Sequence, residues 1–122
     1  MSARPLLDDA HLTPAARAKM AHRHTEVLEK VTQALAAHDV VVVGMAWNPH
    51  VGNARKALTE AGIEHTYLEF GNYLGQWPQR LTIKMWSGWP TFPQVFVKGT
   101  LIGGNTETRA AIADGSLRSL LG

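Results

Sequence analysis

The sequence predicts an α/β fold: two parallel strands linked through a helix, then a hairpin, with helices on both faces of the sheet. Three observations predict it. Val40-Val41-Val42-Val43 is a β-branched run, apolar at every position, as a strand covered on both faces requires. A helical pattern and a second strand-like run follow within roughly 30 residues, the length of a right-handed crossover between parallel strands. Two short apolar runs then flank Lys98-Gly99-Thr100, a tight hairpin signal.

Each element follows from local chemistry. Residues 1–12 mix polar and apolar types and read as a flexible lead-in; the single domain is expected over residues 13–122. Thr13-Pro14 announces a helix, with Thr as the cap and Pro in the first turn. Its stripe runs through Ala16, Met20, Val27, Leu28, Val31 and Leu35 to about Ala37. The fold is thus expected to carry an extended N-terminal helix. Residues 40–45 are the first strand, and 47–50 a loop. Residues 51–61 carry Val51, Ala54, Ala57, Leu58 and Ala61 on one helical face, with Gly62 as the stop. Residues 64–70 alternate as a strand. Trp77, Leu81 and Met85 fall four apart, which predicts a helix over 76–86 with Trp77 and Trp86 in the core. Residues 93–97 and 101–102 form the hairpin strands. Asn105 or Thr106 opens a last helix to about Ala113, and a final turn carries Leu117, Leu120 and Leu121.

Composition narrows the function. The 122 residues are enough for one core, with 45% hydrophobic and 18% charged residues, which excludes a disordered chain. A net charge of +2 gives no electrostatic footprint for nucleic acid or an anionic membrane, so neither is an expected partner. No apolar run approaches a membrane span, and the first residues lack the core of an export signal, so the expected location is cytoplasmic. Cysteine is absent. That excludes disulfides, thiolate metal sites, cysteine-ligated iron–sulfur clusters and a cysteine nucleophile of the chain's own. The histidines do not compensate: His22 and His24 stand two apart on a helix, on nearly opposite faces, while His11, His38 and His65 are scattered, so no metal is expected.

The segment Trp86-Ser87-Gly88-Trp89-Pro90-Thr91-Phe92-Pro93-Gln94, followed by a strand, Lys98-Gly99 and then Leu101-Ile102-Gly103-Gly104, resembles the monothiol glutaredoxins. The resemblance covers roughly residues 30–121. It implies a thioredoxin-like fold with a four-stranded mixed sheet. It also implies a cis peptide bond before Pro93 and backbone pairing of Phe92 with the cysteinyl unit of glutathione. Gly103, Gly104, Asn105 and Thr106 would receive the γ-glutamyl end. Arg80 falls where monothiol members place a basic residue for the glycyl carboxylate.

The chain departs from the family at the centre. Where dithiol members read Cys-Pro-Tyr-Cys, this one reads Asn48-Pro49-His50-Val51. Met45 replaces a Lys usual three residues before the motif, and the five-residue insertion of monothiol members is missing. An amide attacks no disulfide and ligates no shared cluster as a thiolate does. Asn48 is a strong helix cap in its own right, and could also hydrogen-bond the sulfur of bound glutathione. His50 beside it has no carboxylate partner legible in the sequence, so no catalytic residue is expected among these four positions.

Three functions fit these residues. One is a redox-inactive, glutathione-binding regulatory module. Another is a transferase-like enzyme in which Asn48 positions the thiol of bound glutathione. The third is an interaction module without glutathione, engaging a protein through the first helix or a Trp47/Trp89 surface.

Overall fold

The four-valine run forms β1 (Val40–Gly44), and all five of its residues are buried. The computed structural model describes residues 14–72 and 74–122. The lead-in, the Thr13 cap and His11 lie outside the described residues, as do the side chains of His22 and His24. The chain runs α1 (Pro14–Ala37), β1, α2 (Pro49–Glu60), β2 (Thr66–Glu69), α3 (Trp77–Ser87), β3 (Gln94–Val97), β4 (Thr100–Gly103), α4 (Asn105–Asp114) and α5 (Ser116–Leu121). The sheet order is β2-β1-β3-β4. β1 pairs parallel with β2, Val42 opposite Tyr67, and antiparallel with β3, Val42 opposite Val95. At the hairpin, Lys98 and Gly99 take φ of 51° and 79°, the two positive angles that a tight two-residue turn requires.

Alternate residues of β1 feed two cores. Val41 and Val43 pack with Val27 and Val31 of α1, Ile83 of α3, Phe70 and Phe96. Val40 and Val42 pack with Leu58 of α2, Val95, Val97 and Leu117 of α5. The sheet thus separates an α1/α3 layer from an α2/α4/α5 layer, as period-two alternation dictates.

The face of α3 and several boundaries need correction. α3 exists, but its apolar stripe does not face the core. Trp77 is 63% exposed, Leu81 45% and Met85 37%, whereas Trp86, on another side of the helix, is 40% exposed but sets its ring 5.9 Å from that of the core residue Phe96. The buried positions are Arg80, Thr82 and Ile83. Arg80 is only 8% exposed. Boundaries also move. α2 starts at Pro49, two residues before its apolar face, and β2 is shorter than the alternation suggests. α4 is capped by Gly104, one residue ahead of Asn105.

On the outer side of α2 and the edge strand β2, Arg55 donates through Nε to His65 Nε2 at 3.3 Å and lies over the Tyr67 ring, 4.0 Å from its centroid. Tyr67 donates its hydroxyl to Glu69 at 3.0 Å. Burial, aided by the Arg55 charge, holds the His65 pKa below its ordinary 6.5. The folded state thus resists a proton that the unfolded chain accepts near pH 6.5, so this contribution to stability is complete above that value and falls as the solution is acidified below it. Urea midpoints measured at pH 7.5 and 5.5 should drop more for the native chain than for His65→Gln; equal drops would exclude His65 as the source.

Candidate functional site

The site is built where two helix N-termini and one sharp loop meet. Asn48 is the N-cap of α2, and its Oδ1 accepts the backbone N–H of His50 at 2.9 Å. Pro49 follows in the first turn, where its missing N–H leaves no gap. Trp47 turns the chain into this cap with φ of 64°, an uncommon angle for a bulky residue, and its ring is 65% exposed. The other half of the Asn48 amide reaches across the sheet end: Nδ2 donates to the carbonyl of Phe92 at 3.4 Å. The Phe92–Pro93 peptide is cis, as the resemblance implies. One side chain therefore joins the start of α2 to the loop before β3.

The loop from Trp89 to Gln94 is closed by its own end residues. Gln94, fully buried, donates its Nε2 to the Trp89 carbonyl at 3.0 Å. Trp89 in turn lies beside Gly104; a Cβ there would sit 3.7 Å from its Nε1 and 3.3 Å from the Pro93 carbonyl. Gly103 is required in a stronger sense. Its φ is 124°, and a Cβ would meet the Glu107 side chain at 2.7 Å. Glu107 fills that space because its Oε1 accepts the backbone N–H of Gly104 at 2.8 Å, the carboxylate half of a capping box.

A cavity of about 230 Å³ opens between these parts, lined by His50, Thr91, Phe92, Pro93, Gly104, Asn105, Thr106 and Glu107. Six of these, His50, Phe92, Pro93, Gly104, Asn105 and Thr106, were singled out from the sequence. Thr91 and Glu107 were not. Glu107 had a legible signal, an acid three residues after Gly104 ahead of a helical run. The Trp89 Nε1 and Asn105 Oδ1 groups are buried without a protein partner, although buried polar groups normally have one. Asn48 and Gly103 stand just behind this lining.

Arg80 stands apart from the cavity lining. Its Nη1 donates to the carbonyls of Phe70 at 2.9 Å and Gly75 at 2.5 Å, so the guanidinium clasps the loop between β2 and α3. That loop supports the site from behind: Gly71 offers its carbonyl to the N–H of Ala46 at 2.7 Å, and Phe70 donates to the Gly44 carbonyl at 2.9 Å. Val51 is buried, its side chain filling the space over Gly44. Met45 is buried in the α1/α3 core. Among the described residues, no three His, Asp or Glu side chains gather as a metal site, and no helix is long and apolar enough to cross a membrane.

A strand, a capped helix, a cis-proline loop and a glycine pair at the next helix start, arranged around one groove, define a glutaredoxin-type thioredoxin fold. The glutaredoxin family model matches residues 40–102, and the chain belongs to the glutaredoxin family. It is 50% identical over 94 residues to a "Glutaredoxin-like protein" of Dictyostelium discoideum, covering 77% of this chain and 76% of that protein. It is 30% identical over 99 residues to "Monothiol glutaredoxin-4" of Schizosaccharomyces pombe, covering 80% of this chain but only 41% of that longer protein. Among solved structures, oxidized glutaredoxin 2 of Chlamydomonas reinhardtii superposes with a TM-score of 0.69 at 26% identity, covering 80% of this chain and 92% of that one. A buckwheat glutaredoxin–glutathione complex shares the fold, with a TM-score of 0.70 at 21% identity over 82% of this chain and 91% of that one.

Proposed function

We propose that this chain is a redox-silent glutaredoxin-family module that binds glutathione without exchanging its disulfides. The observation that carries the reading is the groove between Asn48, the Phe92–Pro93 loop and the start of α4, retained while every cysteine is gone. The start of α4 supplies backbone N–H groups of Asn105 and Thr106 at the positive end of a helix dipole, a ready receptor for the γ-glutamyl carboxylate. Glu107 places a negative charge at the same end, suited to the neighbouring α-ammonium of that unit. Phe92 would offer its backbone to the cysteinyl unit, sharing its carbonyl with the Asn48 amide.

The chemistry stops at binding. With no thiolate to attack sulfur, the chain cannot form the mixed disulfide through which exchange proceeds. Asn48 likewise supplies no thiolate to an iron–sulfur cluster, so the residues present do not fit a cluster held through the chain's own active-site position.

Titration with reduced glutathione, followed by amide chemical shifts, tests this. Saturable shifts are expected at Asn48, Phe92, Gly104 and Thr106 in the millimolar range, with no turnover in a glutathione-coupled disulfide reduction assay. Absence of shifts at several millimolar glutathione would remove the ligand from the account, and robust turnover would overturn the redox-silent reading.

A further inference from the structure

The outer side of α2 carries a cluster of titratable groups that the groove does not use. β2 pairs only with β1 and forms one edge of the sheet. His65, Tyr67 and Glu69 alternate along it, so their side chains share one face. Arg55 of α2 lies across that face. Its Nε donates to His65 Nε2 at 3.3 Å, and its guanidinium sits 4.0 Å from the centre of the Tyr67 ring. Glu69 anchors the Tyr67 hydroxyl at 3.0 Å. An Nε2 that accepts leaves the single ring proton of neutral His65 on Nδ1, on the side that hydrogen-bonds the Ile63 backbone. The arrangement therefore holds only while His65 is neutral. The Tyr67 ring also reaches inward. A Cβ at Gly44 would stand 2.9 Å from it and 2.8 Å from Val51, in the first turn of α2, so the two side chains cover the same glycine.

We propose that His65 is a proton-operated catch between α2 and the edge strand. On protonation its Nε2 turns from acceptor to donor, Arg55 leaves the Tyr67 face, and the start of α2 loosens through Tyr67 and Val51. Neutral imidazole receives the Arg55 N–H, whereas imidazolium presents a second donor and a second positive charge to it. The charges around His65 set the balance. Arg55 is the cation facing it from α2. His38 and Asp39, ahead of β1, line the cavity beside it, as does Glu64 from its own segment. Lys98 offsets Asp39 at 3.7 Å, and Glu69 is engaged with Tyr67. The carboxylates favour a proton on His65, but burial and then Arg55 prevail against it, which places the release below pH 6.5. The same helix start is capped by Asn48, so the catch acts on the frame of the groove without touching a ligand.

Side-chain NMR of the full chain between pH 7.5 and 5 tests this. Protons stacked on an aromatic face are shifted upfield, so the Arg55 δ and ε protons report contact with Tyr67. They should lose most of that shift along the titration of the His65 imidazole. The Val51 methyl signals should move with the same midpoint. His65→Gln keeps a neutral acceptor and should hold the Arg55 shift constant over the range. His65→Lys places a permanent cation there and should abolish the shift already at pH 7.5, with circular dichroism checking that the fold is kept. Arg55 or Val51 signals that stay put while His65 titrates would overturn the proposal. So would the same loss in His65→Gln, which would assign the proton to His38 or a carboxylate, or a His65→Lys chain with Arg55 still on Tyr67. A His65 that stays neutral down to pH 5 would equally deny the catch a working range.

Discussion

Arg80→Met should lower the unfolding free energy by about 2–3 kcal/mol, read as a fall in the urea midpoint with an unchanged slope. The guanidinium serves two backbone carbonyls, those of Phe70 and Gly75, from a position 8% exposed. Methionine restores most of the volume but leaves both acceptors without a donor, and orphaned buried acceptors carry the cost. Arg80→Lys should fall between, because a point-like ammonium cannot hold two divergent carbonyls as a planar fork does. A loss under about 0.5 kcal/mol would show that the clasp contributes little. The same variant bears on the glycyl-carboxylate role that the resemblance implies. A folded Arg80→Met chain that binds glutathione as well as the native chain would leave Arg80 with the loop alone.

Asn48→Cys should produce a thiol that titrates well below the ordinary value of about 8.5, within the range of roughly 3.5–7.5 found for cysteines at helix N-termini. Asn48 already caps a helix of 12 residues and bonds the His50 N–H. A thiolate there would take the same hydrogen bond and meet the positive end of the dipole. Alkylation by iodoacetamide against pH measures the shift without ambiguity, since the variant contains a single thiol. Titration at the free-cysteine value would mean that the cap geometry does not favour an anion, and would weaken the case that this groove holds a glutathione thiol.

Much of the fold was legible because its signals are short-ranged. The valine run, the Pro49 and Gly62 punctuation of α2 and the Lys98-Gly99 turn each state their conformation within a few residues. The groove was legible for another reason: the resemblance marked the residues on both sides of it. What could not be read was the direction of α3. Fourfold spacing of Trp77, Leu81 and Met85 fixes a helical face but not which face meets the core. Here Ile83 and Thr82 are buried instead, and Arg80 joins them because loop carbonyls await it. Those carbonyls come from residues 70 and 75, brought together only by the turn of the chain. The link from Asn48 to Phe92, 44 residues away, is equally invisible to any local pattern.

The two cores on either side of β1 have a consequence for how this chain can change. A fully buried strand with valines alternating between layers acts as a partition, and the Tyr67 side chain at its edge contacts both sides. Packing adjustments on one side are transmitted poorly to the other, as expected for sites that share few neighbours. Away from Tyr67 and Val51 the layers can therefore diverge as separate modules. The groove sits at the exception: Val51 at the start of α2 and Phe92 of the cis-proline loop both pack in the α1/α3 core, so a change on that side reaches the groove directly.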